Sequence, residues 1–466
     1  MTDQRFEQLL HDILDAETPS RAPERLVPET QRAVRPVRRQ PTWLATLLER
    51  PMRVSRRVVV GSPIQRSLAV GMAMLLLALV TVGTLFVGAQ LLAEPRTIVV
   101  DAGGNGDATT VTAGIELADD GDIVLLRPGE YVEDVVIDKP ITLRGDSSGS
   151  AIIRFTLESP PVSEFSSDLR RLYLYEGARR FDSHGYAGAN LFGQPLKIPR
   201  GLLVVADGSV VEDLVIAGPP DGLGLRVRAE NVTLDDIEIG FDGFGDRDVI
   251  ALVADGGYVA IVDSSIEGDL FLGGHGTKEL LRNTIAGEVG IRDTDARLVA
   301  NTIRIGPQQG SGVTVQGDSE VIIERSDIQV YGRGIFLDGN GVRGTVTNNV
   351  VIGGEAGLYL GEGAVATAER NTFADNDMGI RSRSAGKSWL RDNIVEDNGA
   401  GILVSAGSTE VKGNLVTGSR NMGIGVLDDA SPVVADNELC GNGTDLFVAE
   451  TANADSSGNE ICPVTE

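Results

Sequence analysis

One short frame recurs from residue 210 to residue 461: an apolar residue, two or three mixed ones, a fixed position, any residue, then another apolar one. It reads VVEDLVI, VTLDDIEI, VAIVDSSI, ELLRNTI, LVANTI, VIIERSDI, TVTNNVV, TAERNTF, WLRDNIV, EVKGNLV, VVADNEL and SSGNEI. The fixed position holds Leu214, Ile237 and Ser264, then Asn283, Asn301, Ser326, Asn349, Asn371, Asn393, Asn414, Asn437 and Asn459. From Ser326 onward these lie 23, 22, 22, 21, 23 and 22 residues apart. A unit this short cannot bury an apolar face alone, so it must be covered by its neighbours, and the period predicts a solenoid with one turn per repeat. Sparse aromatics (5%) and 58 glycines, with Val- and Ile-rich runs between Gly, Asn and Asp clusters, make the turns all-β.

Stacked turns bring equivalent residues to about 4.8 Å, so some 14 turns build a rod of roughly 65 Å. An asparagine amide both donates and accepts, so a column of Asn satisfies polar groups turned inward. Asparagine also tolerates the left-handed backbone that a corner needs, which predicts that the ladder Asn itself turns the corner. Leu214 and Ile237 fill the same slot with apolar contacts. Cys440 and Cys462, the only two cysteines, each follow a ladder Asn by three residues. Stacking then places their Cα atoms about 5 Å apart, inside the range for a disulfide that would staple the fray-prone last turn. Two stacked buried thiols are the alternative.

Residues 97–146, TIVVDAGGNGDATTVTAGIELADDGDIVLLRPGEYVEDVVIDKPITLRGD, place Val111, Ile115 and Ala118 on one helical face ahead of three short strands, IVLL, DVVI and PITL. With the phrase Pro128-Gly129-Glu130-Tyr131-Val132-Glu133, this stretch resembles the opening of right-handed parallel β-helix proteins of the pectin-lyase-like superfamily. The resemblance spans residues 97–462 and implies a solenoid whose open end is capped by an amphipathic helix. It also implies chemistry on acidic polysaccharides, for which the residues give little support. Pectinesterases share Gly129-x-Tyr131-x-Glu133, but their later catalytic phrases are missing, so the phrase reports fold. Asp235-Asp236 and Gly274-His275-Gly276 superficially match a hydrolase's carboxylate pair and histidine, without its accompanying phrases. Lyases of this fold use clustered acids to hold calcium; Asp242, Asp246 and Asp248, with Arg247, form a candidate calcium loop, although solvated acids are common in glycine-rich turns.

The net charge of −26 is unevenly spread. Residues 1–66 hold twelve Arg, no Lys and eight acids, about +4, which leaves about −30 for the rest. Between them, Ser67–Ala93 carries no charge and exceeds the roughly 20 apolar residues that span a bilayer. Arg50, Arg53, Arg56, Arg57 and Arg66 precede it, so the positive-inside rule predicts a single-pass anchor with residues 1–66 cytoplasmic and the solenoid outside. A cleaved signal peptide and a buried helix are the rival readings; the apolar run is about twice as long as a signal requires. The head joins an amphipathic RFEQLLHDIL to a Pro/Arg-rich linker and loosely resembles the cytoplasmic part of anti-sigma-type membrane proteins, without a His/Cys zinc cluster.

One insertion, at about 154–200, breaks the repeat and concentrates Arg170, Arg171, Tyr173, Tyr175, Arg179, Arg180 and Tyr186. Insertions in solenoids map to loops on one face, often the binding face, and these side chains suit sugar rings and carboxylates; a local plug is the alternative. The expectation is a surface-displayed β-helix, partnered by the lipid bilayer and by a cell-envelope or environmental polysaccharide, or serving as an envelope scaffold. A polysaccharide lyase or hydrolase and a transmembrane signalling protein are the alternatives. A surface near −30 repels nucleic acid and, unless cations bridge them, polyuronates.

Overall fold

Residues 95–156, 200–220, 223–243, 249–307 and 310–463 are described by a computed structural model. The expected cytoplasmic segment, the span 67–93 and residues 157–199 of the insertion lie outside them. Among the described residues no helix is long and apolar enough to cross a membrane.

Each turn lays down three short strands. One turn comprises Asp269–Leu272, Thr277–Leu281 and Thr284–Ala286; the next comprises Val289–Arg292, Asp295–Val299 and Thr302–Arg304. Every strand pairs in parallel with its equivalent one turn on. We call the faces holding Thr277–Leu281, Thr284–Ala286 and Asp269–Leu272 the first, second and third. Among the described residues the third face is a 13-stranded sheet. The other two join in a 27-stranded sheet, because Val210–Gly218 and Val232–Phe241 run unbroken through the corner between them. The result is an all-β solenoid of about 14 turns.

The alternation of each strand sends one or two apolar side chains per face inward. Ile261, Leu280, Leu298, Ile323 and Val346 stack in register on the first face, and Ile239, Ile266, Ile285, Ile303 and Ile328 on the second, all buried. Each such side chain contributes about 1.5–3 kcal/mol, which is why parallel sheets of this kind need a dry face. Two glycines show how tightly the turns close: a Cβ at Gly357 would lie 2.6 Å from Phe373, and one at Gly379 would lie 2.4 Å from Val395.

The asparagine column stands at the corner between the first and second faces. Asn349 donates its N–H and Nδ2 to Asn371 Oδ1, both at 3.0 Å, and Asn371 repeats this toward Asn393 at 3.0 and 2.9 Å. Each Nδ2 also ties back to a carbonyl of the preceding turn, as from Asn349 to Ile323 O at 2.8 Å. Ser264 and Ser326 continue the column with their hydroxyls, which accept from Ile237 N at 3.2 Å and Asn301 N at 3.3 Å. The left-handed residue is the one before each ladder position: Asp263 (φ 49°), Arg282 (58°), Arg325 (53°), Arg370 (55°) and Asp392 (51°). The expectation that Asn turns the corner is therefore corrected. Its amide is held inward by the stack, and the preceding residue, pointing outward, takes the positive φ. A second column, Asn376, Asn398 and Asn442, lies between the second and third faces; Asn376 N donates to Asn398 Oδ1 at 2.9 Å.

The helix Val111–Leu117, here α1, covers the N-terminal end with Val111, Gly114 and Ile115 buried. The Pro-Gly-Glu-Tyr-Val-Glu phrase builds this cap. Glu133 accepts from Val111 N at 2.7 Å, Thr112 N at 3.0 Å and Thr112 Oγ1 at 2.6 Å, placing a carboxylate on the open N–H groups of α1. Tyr131 donates its hydroxyl to Val100 O and Arg127 O, and Lys139 Nζ donates to Ile115 O, Glu116 O and Ala118 O at the other end of the helix. At the far end of the rod Cys440 and Cys462 form a disulfide with Cα atoms 4.9 Å apart, joining the last two turns.

Candidate functional site

On the third face, alternate side chains leave the core and stack outside it. One outward row runs in register through Arg226, Val253, Phe271, Gly290, Thr314, Phe336, Tyr359, Arg381 and Leu403. Their neighbours in sequence, such as Ile335, Leu337, Leu358, Leu360 and Ile380, are buried on the inner side and fix the orientation. Chemistry gathers at two places along this row.

The first is a cluster of rings and guanidinium groups. Phe336 and Tyr359 meet edge to face, with centroids 5.3 Å apart and planes at 80°. Arg333 lies 4.5 Å from the Phe336 centroid and 4.7 Å from that of Tyr359, and Arg381 lies 5.6 Å from Tyr359. A hydrogen bond to Tyr359 raises the pKa of Arg383 above its ordinary value. Glu355 approaches Arg333 at 3.6 Å. Arginines stacked on ring faces gain about 0.5–1 kcal/mol each at exposed sites. The cluster is a local concentration of positive charge on an acidic exterior.

The second is a notch of about 190 Å³ over Phe271, Gly290 and Thr314. Asp255, Arg292, Asp293 and Gln316 rim it. Arg226 is ion-paired with Asp255, Arg292 Nη2 donates to Gln316 Oε1 at 2.9 Å, and Asp318 N donates to Asp293 Oδ1 at 3.1 Å. Thr314 Oγ1 donates to Glu288 Oε1 at 2.5 Å. Beneath the neighbouring corner, Lys278 Nζ is buried and donates to Gly256 O, Gly257 O and His275 O at 3.1, 2.8 and 3.0 Å. Burial pushes its pKa down to about 8.

Of the calcium candidates only Asp242 lies among the described residues, where Arg154 Nη1 donates to its two oxygens at 3.0 and 2.8 Å. Asp246 and Asp248 lie outside the described residues, as do Arg170, Arg171, Tyr173, Tyr175, Arg179, Arg180 and Tyr186. The chain leaves the second face after Arg154 and rejoins the third at Arg200. Asp235 sits on the outside of the first face and Asp236 at its corner with φ 49°, away from the third-face row. Desolvation, then the charge of Asp263, raises the Asp235 pKa. His275 is exposed, with Nε2 2.9 Å from Glu230 Oε1. Glu438, Cys440 and Cys462 are the one close group of potential metal ligands among the described residues, and the two sulfurs are bonded to each other.

The third-face cluster is absent from the sequence expectations, although its signal is present. Phe336, Tyr359 and Arg381 are 23 and 22 residues apart, the spacing of the asparagine column.

The family model described as the right-handed β-helix region matches residues 256–442. Among solved structures, the periplasmic alginate epimerase AlgG superposes with a TM-score of 0.51 at 13% identity, over 57% of this chain and 78% of AlgG. The tailspike protein 3 of bacteriophage CBA120 gives 0.44 at 14% identity, over 80% and 57%. The A-module of the Azotobacter vinelandii mannuronan C-5 epimerase AlgE6 gives 0.34 at 13%, over 74% and 92%. None of the curated proteins matches the chain. The likeness to AlgG, with the family match, establishes the fold: a right-handed parallel β-helix.

Proposed function

We propose that the third face binds an acidic polysaccharide, with Arg333, Arg381 and Arg383 meeting its carboxylates and Phe336 and Tyr359 backing the sugar rings. The carrying observation is the clustering of these guanidinium groups around one aromatic pair. Guanidinium forks bind carboxylates in bidentate fashion, and aromatic faces suit the C–H side of a pyranose. The acidic remainder of the exterior does not forbid this, because salt screens charges beyond about 8 Å at physiological strength. AlgG, which has the same fold, is an alginate epimerase, and this accords with the reading. The arginine-rich head and charge-free span support display of the β-helix outside a single-pass anchor, and the disulfide suits an oxidising compartment.

The test is titration of the full chain with alginate and polygalacturonate, in EDTA, at two salt concentrations. Binding should survive EDTA, weaken with salt, and fall at least tenfold (~1.4 kcal/mol) in Arg381→Ala/Arg383→Ala. Unchanged affinity in that variant, or no binding by the wild type, overturns the proposal. New reducing ends or unsaturated-uronate absorbance in the same mixtures would make the protein an enzyme.

A further inference from the structure

The notch over Phe271 has a different chemistry from the arginine cluster, and we infer that it is a second sugar site, for one uncharged pyranose unit. Three observations carry this. The floor holds an aromatic ring beside a glycine: a Cβ at Gly290 would lie 3.0 and 3.2 Å from Cδ1 and Cε1 of Phe271. Gly290 has no positive φ, so its backbone does not demand glycine; what the missing side chain provides is space against the ring. The volume, about 190 Å³, gives room for one sugar ring.

The rim then selects the ring's charge. Arg226 is neutralised by Asp255, while Arg292 is held by Gln316, a neutral amide. Asp255, Asp293 and Gln316 keep further oxygen lone pairs to accept from sugar hydroxyls. A carboxylate entering the notch would face two carboxylates, Asp255 and Asp293, with Arg292 as the cation that lines it, a repulsion that a hydroxyl avoids. An apolar floor with a few convergent polar groups is the usual build of a small-ligand site. Phe271 and Phe336 are three turns apart on the same outward row, about 14 Å at ~4.8 Å per turn, so one chain carrying both neutral and acidic units can reach both places.

The experiment titrates the full chain with cellohexaose, mannohexaose and maltohexaose, following the sugar C–H proton shifts by NMR, and then with alginate. At least one hexaose should bind, with upfield ring-current shifts from Phe271. Its affinity should fall at least tenfold in Gly290→Val and in Phe271→Leu, while alginate binding by both variants stays within twofold of wild type. Retained alginate binding also reports that each variant's third face is folded. The inference is overturned if no hexaose shows ring-current shifts at millimolar concentration, or if Phe271→Leu leaves hexaose affinity unchanged. It also fails if that variant loses alginate and hexaose together. Loss of alginate binding in the arginine variant tests only the acidic site, so the two readings fail separately.

Discussion

Replacing Asn393 by alanine probes what the asparagine column contributes. Asn393 Oδ1 accepts from Asn371 N at 3.0 Å and Asn371 Nδ2 at 2.9 Å, and its own Nδ2 donates to Ala368 O and Asn414 Oδ1 at 2.9 Å each. The side chain is 1% exposed, so water cannot replace it. Two partners keep an alternative: Asn371 Nδ2 retains Val346 O, and Asn414 Oδ1 retains Asn393 N. The Asn371 N–H loses its side-chain acceptor outright. A buried orphan costs about 1–3 kcal/mol and each of the three other lost bonds about 0.5–1.5, so the substitution costs about 2.5–7.5 kcal/mol in all. Asn459 makes the same two contacts to Asn437, at 3.1 and 2.9 Å, but is only partly buried at the last turn. Water can reach Asn437 N there, so Asn459→Ala should cost about 1 kcal/mol. Urea unfolding gives the two costs, and amide exchange at Asn371 locates the first, since solenoids can open turn by turn. A difference under 1 kcal/mol between the variants, or unchanged exchange at Asn371, would refute the orphaned-amide reasoning.

Two further predictions concern stability. The pKa of Lys278 is lower folded than unfolded, so between about 8 and 10.5 the unfolded chain binds more protons and stability rises with pH. The wild type should therefore gain stability against urea from pH 7.5 to pH 10 relative to Lys278→Met, and parallel pH profiles would count against a buried ammonium. Cys440→Ser/Cys462→Ser opens a link of sequence separation 22 and should cost about 3 kcal/mol in the chain-entropy account. Its exchange changes should be confined to the last turns, and faster exchange near Asn349 would contradict a local clasp.

The solenoid was legible because its strongest constraints act between equivalent residues one turn apart. A buried amide finds its partner only if the next turn offers a matching group, so Asn349, Asn371, Asn393 and Asn414 repeat their identity as well as their spacing. The second column was not legible, because Ser419 interrupts Asn376, Asn398 and Asn442. The third-face row keeps the period but not the residue: Phe336, Tyr359 and Arg381 stand on the outer side of the sheet, where stacking imposes no chemical match. Glu133 looked like part of a family phrase; only the fold reveals it as the N-terminal clamp of α1.

What the chain alone determined is its period, its all-β turns, the first inward column and the stacking of Cys440 with Cys462, since each follows from residues repeating in one dimension; that the two sulfurs are bonded is seen in the structure. What the tertiary structure decided is which outward side chains converge. Corners of unequal length connect three faces with similar alternation, and only their folded course sets Arg333 and Arg381 against Phe336 and Tyr359, places Phe271 beside Gly290, and buries the ammonium of Lys278. Those contacts depend on how turns of different length close, and spacing along the sequence does not encode that closure.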